Sequence, residues 1–328
     1  MADLSCKYLG LTLKNPVIVA ACGLTAAADG VRKAAEAGAG AIVLKSLFEE
    51  QIRSDLSGID DTARNYPESA HILMEKMGVY GSAQEYVKLI KEAKAAAGSV
   101  PVIASINCIK TEFWVDFAQQ AEAAGADAVE LNISFFPNSA KTSSAELEDA
   151  AVNIVKKVSA KTKIPLAVKL GPYYTNPASI VDRLTRAGAM AVILFNRFYR
   201  LDFNLDTMTL KAGPVRSSGN EYHESLRCIA NLYGLVGAEL VGATGIHDAE
   251  TAIKFIAAGA AAVEVCSMLY GNGGWQALTK LVEDMGNRMD AIKAGPISSF
   301  RGKLSSRYTM ENDKYERLQY IKALTGIS

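Results

Sequence analysis

The sequence predicts an α/β protein folded as a (β/α)8 TIM barrel with an N-terminal hairpin and a C-terminal extension. Three observations predict it: a repeated helix–stop–strand pattern, a second set of strands mostly introduced by proline, and regular alternation of strands with helices. The pattern recurs at residues 36–44 (EAGAGAIVL), 123–131 (AAGADAVEL), 186–194 (RAGAMAVIL) and 257–265 (AAGAAAVEV). In each, an Ala-rich helix tail meets a glycine suited to the left-handed position after a helix, and a short apolar run follows. Such a run after a helix stop reads as a buried parallel strand.

The second set comprises residues 16–21 (PVIVAA), 101–106 (PVIASI), 165–170 (PLAVKL) and 239–242 (ELVG), the last without a proline. Interleaved, the two sets give eight strands. Helices are expected at 27–37, 82–97, 112–124, 144–161, 177–187, 221–235, 248–258 and 275–291. Eight strands in β/α alternation favour a closed barrel, because closure removes both sheet edges. An open doubly wound sheet is the alternative, and no glycine-rich dinucleotide fingerprint follows the first strand to support it. One domain spanning 1–328 is expected, with residues 1–15 as a hairpin plugging the barrel bottom and 301–328 as a charged extension. The long segments 46–81 and 197–220 follow the second and sixth strands, on the side where barrel active sites lie.

Composition narrows the function. The 328 residues carry 35 basic and 35 acidic side chains, a balance that argues against nucleic-acid or membrane-surface binding. No uncharged apolar run approaches the ~20 residues that cross a bilayer, and no signal peptide is visible at the start. Five cysteines without paired spacing suit a reducing cytoplasm. With three dispersed histidines and no CxxC, no metal site is expected. His247, at a helix start, reads as a cap or surface residue.

The strand ends all face one mouth: Cys22–Gly23, Lys45–Ser46, Asn107, Asn132, Lys169, Asn196, Ala243–Thr244–Gly245 and Cys266–Ser267. Lysines closing apolar strands need an anionic partner, either a barrel carboxylate such as Glu130 or a ligand that carries or develops negative charge. The asparagines offer paired donors and acceptors suited to a flat heterocycle. Small residues after the seventh and eighth strands match the usual barrel phosphate site. Phe135–Phe136 stand at the mouth, as loop packing or as a pocket wall.

In this order the residues resemble the dihydroorotate dehydrogenase family, especially its soluble class 1 branch. The resemblance runs from about Tyr8 to Leu304. Its anchors are Asn15–Pro16 with Ala21–Cys22–Gly23, Leu44–Lys45–Ser46, Met77–Gly78, and Glu130–Leu131–Asn132–Ile133–Ser134 followed by Pro137–Asn138. Val168–Lys169–Leu170, Gly242–Ala243–Thr244–Gly245–Ile246 and Phe300–Arg301–Gly302–Lys303 complete them. The resemblance implies an FMN-dependent oxidoreductase acting on CH–CH bonds in pyrimidine biosynthesis, working as a cytoplasmic homodimer. By it, Ala21, Cys22, Lys45, Ser46, Asn132 and Lys169 hold the flavin ring, and Gly219, Thr244, Gly245, Cys266 and Ser267 hold its ribityl phosphate. Lys169 stabilises negative charge on the reduced ring. Glu75, Met77, Gly78, Asn138, Asn196 and Arg197 are the expected substrate-side residues.

The sequence also departs from the family. Where a Cys or Ser acts as general base, Phe135–Phe136 stand with one residue too many, and neither ring can accept a proton. Ser134 matches a different family serine and becomes a candidate base, beside Cys108, Tyr80 and Tyr173. Glu75 replaces an expected asparagine, Arg197 is an added cation, and Thr244 and Cys266 replace glycines. Four readings follow: oxidation of a dihydroorotate-like substrate, reduction of another C=C bond, flavin binding without turnover, or a flavin-free aldolase or isomerase using Lys169 or Lys45 as a Schiff-base amine. There is no iron–sulfur cysteine cluster, so an electron-accepting partner would be a separate chain.

Overall fold

In the computed structural model, residues 2–49, 83–109, 111–135 and 139–307 are described. The eight barrel strands are β3 (Val17–Val19), β4 (Ala41–Val43), β6 (Val102–Asn107), β7 (Ala128–Ile133), β8 (Leu166–Leu170), β9 (Ala191–Leu194), β12 (Glu239–Ala243) and β13 (Ala262–Val265). All pair in parallel, and the β4–β6 and β13–β3 ladders join the rest into a closed ring. A short β5 (Leu47–Phe48) pairs with the end of β6. The helices are α1 (Ala28–Glu36), α2 (Ala83–Ala97), α3 (Thr111–Ala123), α4 (Ser144–Ser159), α5 (Pro177–Ala187), α6 (His223–Leu232), α7 (Ala249–Ala258) and α8 (Gly274–Ala291), with a short α9 (Ile297–Phe300) after them. The four repeat glycines, Gly38, Gly125, Gly188 and Gly259, all have positive φ, so each ends its helix in a conformation that penalises a Cβ.

Period-two alternation sorts the strand residues into two cores. Val17, Val19, Ile42, Leu44, Val129 and Leu131 pack outward against the helices. Ile18, Ala41, Val43, Ile103, Ala167, Ile193 and Val241 pack inward and fill the barrel. The inner core is closed below by the antiparallel hairpin of β1 (Cys6–Tyr8) and β2 (Leu11–Leu13). Tyr8, Leu9 and Leu13 from that hairpin belong to the inner cluster. The Leu9 N–H donates to Glu239 Oε2 at 2.7 Å, which ties the hairpin turn to the start of β12.

Two features were not foreseen. The segment 197–220, expected as a plain βα loop, contains an antiparallel hairpin of β10 (Leu201–Asn204) and β11 (Thr209–Ala212). Both strands lie largely in solvent, although each alternates apolar and polar residues over its four positions. The expected extension begins by packing: Gly302 N–H donates to Ile256 O, Leu304 N–H to Ala257 O, and Arg301 Nε to Gly259 O. Residues 301–307 thereby satisfy carbonyls at the C-terminal end of α7 that the helix leaves unpaired.

If the hairpin is the barrel's floor, Leu13→Ala should open a cavity beneath the inner core and cost about 2–5 kcal/mol. Equilibrium urea unfolding would show it as a lower midpoint. An unchanged midpoint would mean that the hairpin packs without supporting the barrel.

Candidate active site

Lys169, near the end of β8, points into the barrel and is buried. Its ammonium lies 2.5 Å from Glu264 Oε2 and 3.9 Å from Glu130 Oε1. Glu130 comes from the middle of β7 and Glu264 from β13, across the barrel, and both are buried. Burial opposes a charge on Lys169, but Glu264 and Glu130 outweigh it and hold the ammonium above the ordinary lysine range. Burial also pushes the Glu130 carboxyl well above the usual carboxylate range, and the neighbouring Glu264 charge adds to the effect. The arrangement is one cation between two buried carboxyl groups, one close and one more distant. Neither Glu130 oxygen has a hydrogen-bond partner among the described residues.

Glu130 was foreseen as a possible lysine partner, whereas Glu264 was missed. A signal existed, since the repeats AAGADAVEL and AAGAAAVEV carry their glutamates at the same position.

Above this triad the strand-end asparagines form a chain. Asn196 Nδ2 donates to Asn132 Oδ1 at 2.9 Å, and Asn107 Nδ2 donates to the Asn132 carbonyl at 3.0 Å. Asn132 is paired in register with Lys169 on β8, so amide and ammonium share a level of the mouth. Two residues further, the Ser134 hydroxyl is buried with no hydrogen-bond partner among the described residues.

Lys45 reaches the mouth through a break in the sheet between β4 and β5. The β6 residue Ser105, which faces that break, bonds instead to Tyr86 of α2. The Tyr86 hydroxyl donates to Ser105 O and accepts from Ser105 N–H, both at 2.9 Å. The Ser46 and Ser105 hydroxyls are 2.8 Å apart. The Lys45 ammonium sits 4.9 Å from the centre of the Phe48 ring. Burial lowers it below the ordinary lysine range, with Cys22 and Cys266 acting the other way.

The ends of β12 and β13 form a compact polar cradle. Thr244 and Gly245 both have positive φ, which is strained for a β-branched residue. The Thr244 hydroxyl donates to Phe195 O at 3.0 Å. A Cβ on Gly245 would lie 2.5 Å from Tyr222 N, so only glycine fits there. Gly245 N–H donates to Ser217 Oγ at 3.3 Å, and Ser217 N–H donates to Ser267 Oγ at 2.9 Å. His247 belongs to this cradle: its Nε2 is 3.2 Å from Ser217 Oγ, while Asp248 caps α7. Its expected role as a cap is thereby corrected. Gly219 stands beside Ser217 with open space where a Cβ would be. No sequence pattern marked Ser217, because its partners lie on other strand ends.

Arg197 is engaged within its own loop. Its Nε donates to Glu221 Oε2 at 2.8 Å and its Nη1 to Pro214 O at 2.8 Å and Val215 O at 3.2 Å. The guanidinium therefore fastens the loop that carries Ser217. Donation from Arg197 holds the Glu221 carboxyl down at about 2. Glu75, Met77, Gly78 and Asn138 lie outside the described residues, as do Tyr80 and Phe136. Beside the Ser134 end of the mouth is a small open cavity lined by Phe135, Leu147, Gly171, Tyr173 and Phe198 among others. Tyr173 and Phe198 stack there with ring centres 5.2 Å apart.

A barrel whose polar side chains converge at the C-terminal ends of its strands defines an enzyme with its chemistry at that mouth. Comparison with known proteins specifies the class. The family model described as dihydroorotate dehydrogenase matches residues 3–289. The catalytic subunit of dihydroorotate dehydrogenase B (NAD(+)) from Methanocella arvoryzae is 30% identical over 280 residues, covering 83% of this chain and 88% of that protein. Its counterpart from Thermoplasma volcanium is 27% identical over 318 residues, covering 89% of this chain and 98% of the relative. The chain belongs to the dihydroorotate dehydrogenase family, and it is an oxidoreductase acting on CH–CH bonds.

The buried triad makes a stability prediction. Folding raises the Glu130 carboxyl well above its ordinary 4.5, the value near which it ionises in the unfolded chain. Wild-type stability should therefore fall as pH rises above that value, and Glu130→Gln should flatten that slope. Glu264→Gln should be partly offset as Glu130 ionises toward Lys169. The double variant strands the ammonium and should lose about 3–5 kcal/mol. Additive losses in chemical unfolding would mean that the two glutamates do not share the lysine.

Proposed function

We propose that this chain binds FMN at the barrel mouth and passes hydride between flavin N5 and a dihydroorotate-like dihydropyrimidine, a step of pyrimidine biosynthesis. The observation that carries the proposal is Lys169, a buried lysine kept charged by Glu264 and presented at the level of Asn132. A fixed cation in a dry site is suited to negative charge that grows on a ring during reaction. When bound, FMN supplies the two-electron acceptor that the protein side chains lack.

The residues present fit that group. The backbone at Ala21 and Cys22, with Lys45, Ser46, Asn132 and Lys169, would hold the ring. Gly219, Thr244, Gly245, Cys266 and Ser267 would hold the ribityl chain and phosphate. The long hydrogen bond from Gly245 N–H to Ser217 Oγ supports this assignment, because an anionic oxygen is a stronger acceptor than a hydroxyl for the same N–H. Asn132, whose Oδ1 accepts from Asn196, would fix the plane of the ring edge through its amide hydrogens.

On the substrate side, Ser134 is the candidate proton acceptor. Its buried hydroxyl, without a hydrogen-bond partner among the described residues, lies two residues beyond Asn132, just past the end of β7. Phe135 lines the adjacent aromatic cavity and takes no proton. That cavity favours a second reading, reduction of another C=C bond in a flatter, more apolar substrate.

For electron transfer and assembly, we propose a homodimer working with a separate acceptor, which fits relatives named as catalytic subunits. The β10–β11 hairpin supports the dimer. Its register places Leu201 opposite Ala212 and Phe203 opposite Leu210, so one face of the ribbon is apolar. Leu201, Phe203 and Leu210 are exposed. An isolated hairpin is marginal in water, and an unpartnered apolar face favours a second copy. Among the described residues, no helix is long and apolar enough to cross a membrane.

Anaerobic addition of dihydroorotate should bleach the flavin bands of the purified protein. Lys169→Gln should slow the bleaching about 10²–10³-fold. No bleaching with dihydroorotate, but turnover of another unsaturated compound, would transfer the proposal to the second reading. Light scattering after gel filtration should give a dimer for the wild type and a monomer for Phe203→Asp combined with Leu210→Asp. A monomeric wild type would reject the assembly.

A further inference from the structure

Just beyond the strand ends that carry Asn132, Lys169 and Asn196, the chain builds a second hollow. Phe135 follows Asn132 by three residues, Gly171 follows Lys169 by two, and Phe198 follows Asn196 by two. With Tyr173, Tyr174 and Leu147 they line the small open cavity beside the mouth. Lys169, Asn132 and Asn196 do not line it, so the hollow adjoins the polar mouth without sharing its hydrogen-bonding groups.

Gly171 shows that the hollow is built around a ring. A Cβ at this position would lie 2.5 Å from Phe198 Cζ and 2.9 Å from Cε2, far inside van der Waals contact. The Gly171 backbone is not in the left-handed region, so the missing side chain serves the close approach of Phe198. Phe198 in turn stacks with Tyr173, their ring centres 5.2 Å apart and their planes 24° from parallel. Flat aromatic walls of this kind suit a planar ring.

A polar wall decides which kind of ring. Glu148 of α4 also lines the cavity. Arg183 of α5 donates from Nη1 to Glu148 Oε2 at 3.1 Å and from Nη2 to Asp149. One guanidinium against two carboxylates leaves this rim net negative, which opposes an anionic substituent. Burial pushes the Tyr174 phenol up to about 12, and the Glu148 charge adds to the effect. Tyr174 is therefore a neutral hydroxyl at neutral pH. Arg183 occupies one Glu148 oxygen, and the other is an acceptor for a ligand N–H.

We propose that this hollow is a binding site for a neutral planar ring carrying an N–H donor, indole-like in shape, with the ring against Phe198 and the N–H on Glu148. The site goes beyond the oxidoreductase reading and does not depend on it. Dihydroorotate carries a carboxylate, which the rim opposes, so the hollow is not a second place for that molecule. The two ligands use different side chains, and neither requires the other to leave.

Titration of the full-length protein with indole, followed by ligand-observed NMR, tests the proposal. Saturable binding is expected. Benzofuran has the same shape without the donor and should bind about tenfold more weakly, as should the anion benzoate. Gly171→Ala should displace Phe198 and weaken indole about tenfold or more. Glu148→Gln changes the rim charge at constant shape, so it should weaken indole and strengthen benzoate. Lys169→Gln should leave indole binding unchanged. No saturable indole binding, benzoate bound as well as indole, or a loss confined to Lys169→Gln would overturn the proposal. Flavin bleaching by dihydroorotate, read on the same sample, tests the mouth separately. Indole binding without bleaching keeps the hollow and removes dihydroorotate; bleaching without indole binding does the reverse.

Discussion

The mouth of this barrel depends on one buried ammonium. Lys169 sits where the packed interior gives way to the open end, and removing a lysine from water is costly unless charge is supplied nearby. Glu264, from the opposite side of the ring, supplies it at 2.5 Å. Glu130 stands at 3.9 Å, its carboxyl raised well above the usual range by burial and by the Glu264 charge. Because the three groups come from β7, β8 and β13, the pairing ties together strands on both sides of the barrel.

Around that centre the mouth divides into two halves of different character. The half at β3, β12 and β13 is built from small residues, strained backbone and exposed N–H groups, and the loop carrying Ser217 folds over it. Arg197 and Glu221 hold that loop in place. The other half, beyond Asn132, is aromatic: Phe135, Tyr173 and Phe198 border an open cavity, and the neighbouring Ser134 hydroxyl has no hydrogen-bond partner among the described residues. A cation fixed between the halves can act on whatever lies across both.

How much of this the sequence revealed follows from the range of the interactions involved. Helix stops are local events, and each repeat glycine reads directly as a positive φ. Barrel strands were legible because an inward and an outward core impose alternation over a few residues. Placement of Lys169, Asn132 and Asn196 at strand ends followed from the same periodicity. What escaped was non-local or lacked a core. Glu264 meets Lys169 across 95 residues. Ser217 gains meaning only from the ends of β12 and β13. Arg197 looked like a free cation because its partner, Glu221, is 24 residues away on the far side of a hairpin. That hairpin is written in two four-residue alternations, LDFN and TLKA, too short to stand out within a long loop.

The central claim is that this mouth, organised by a charged Lys169, is a flavin socket. The visible absorption spectrum of the freshly purified protein tests it most directly, with the chromophore released by denaturation and identified. The account predicts flavin bands and FMN released in a one-to-one ratio to protein. A colourless protein that takes up no added FMN would contradict it.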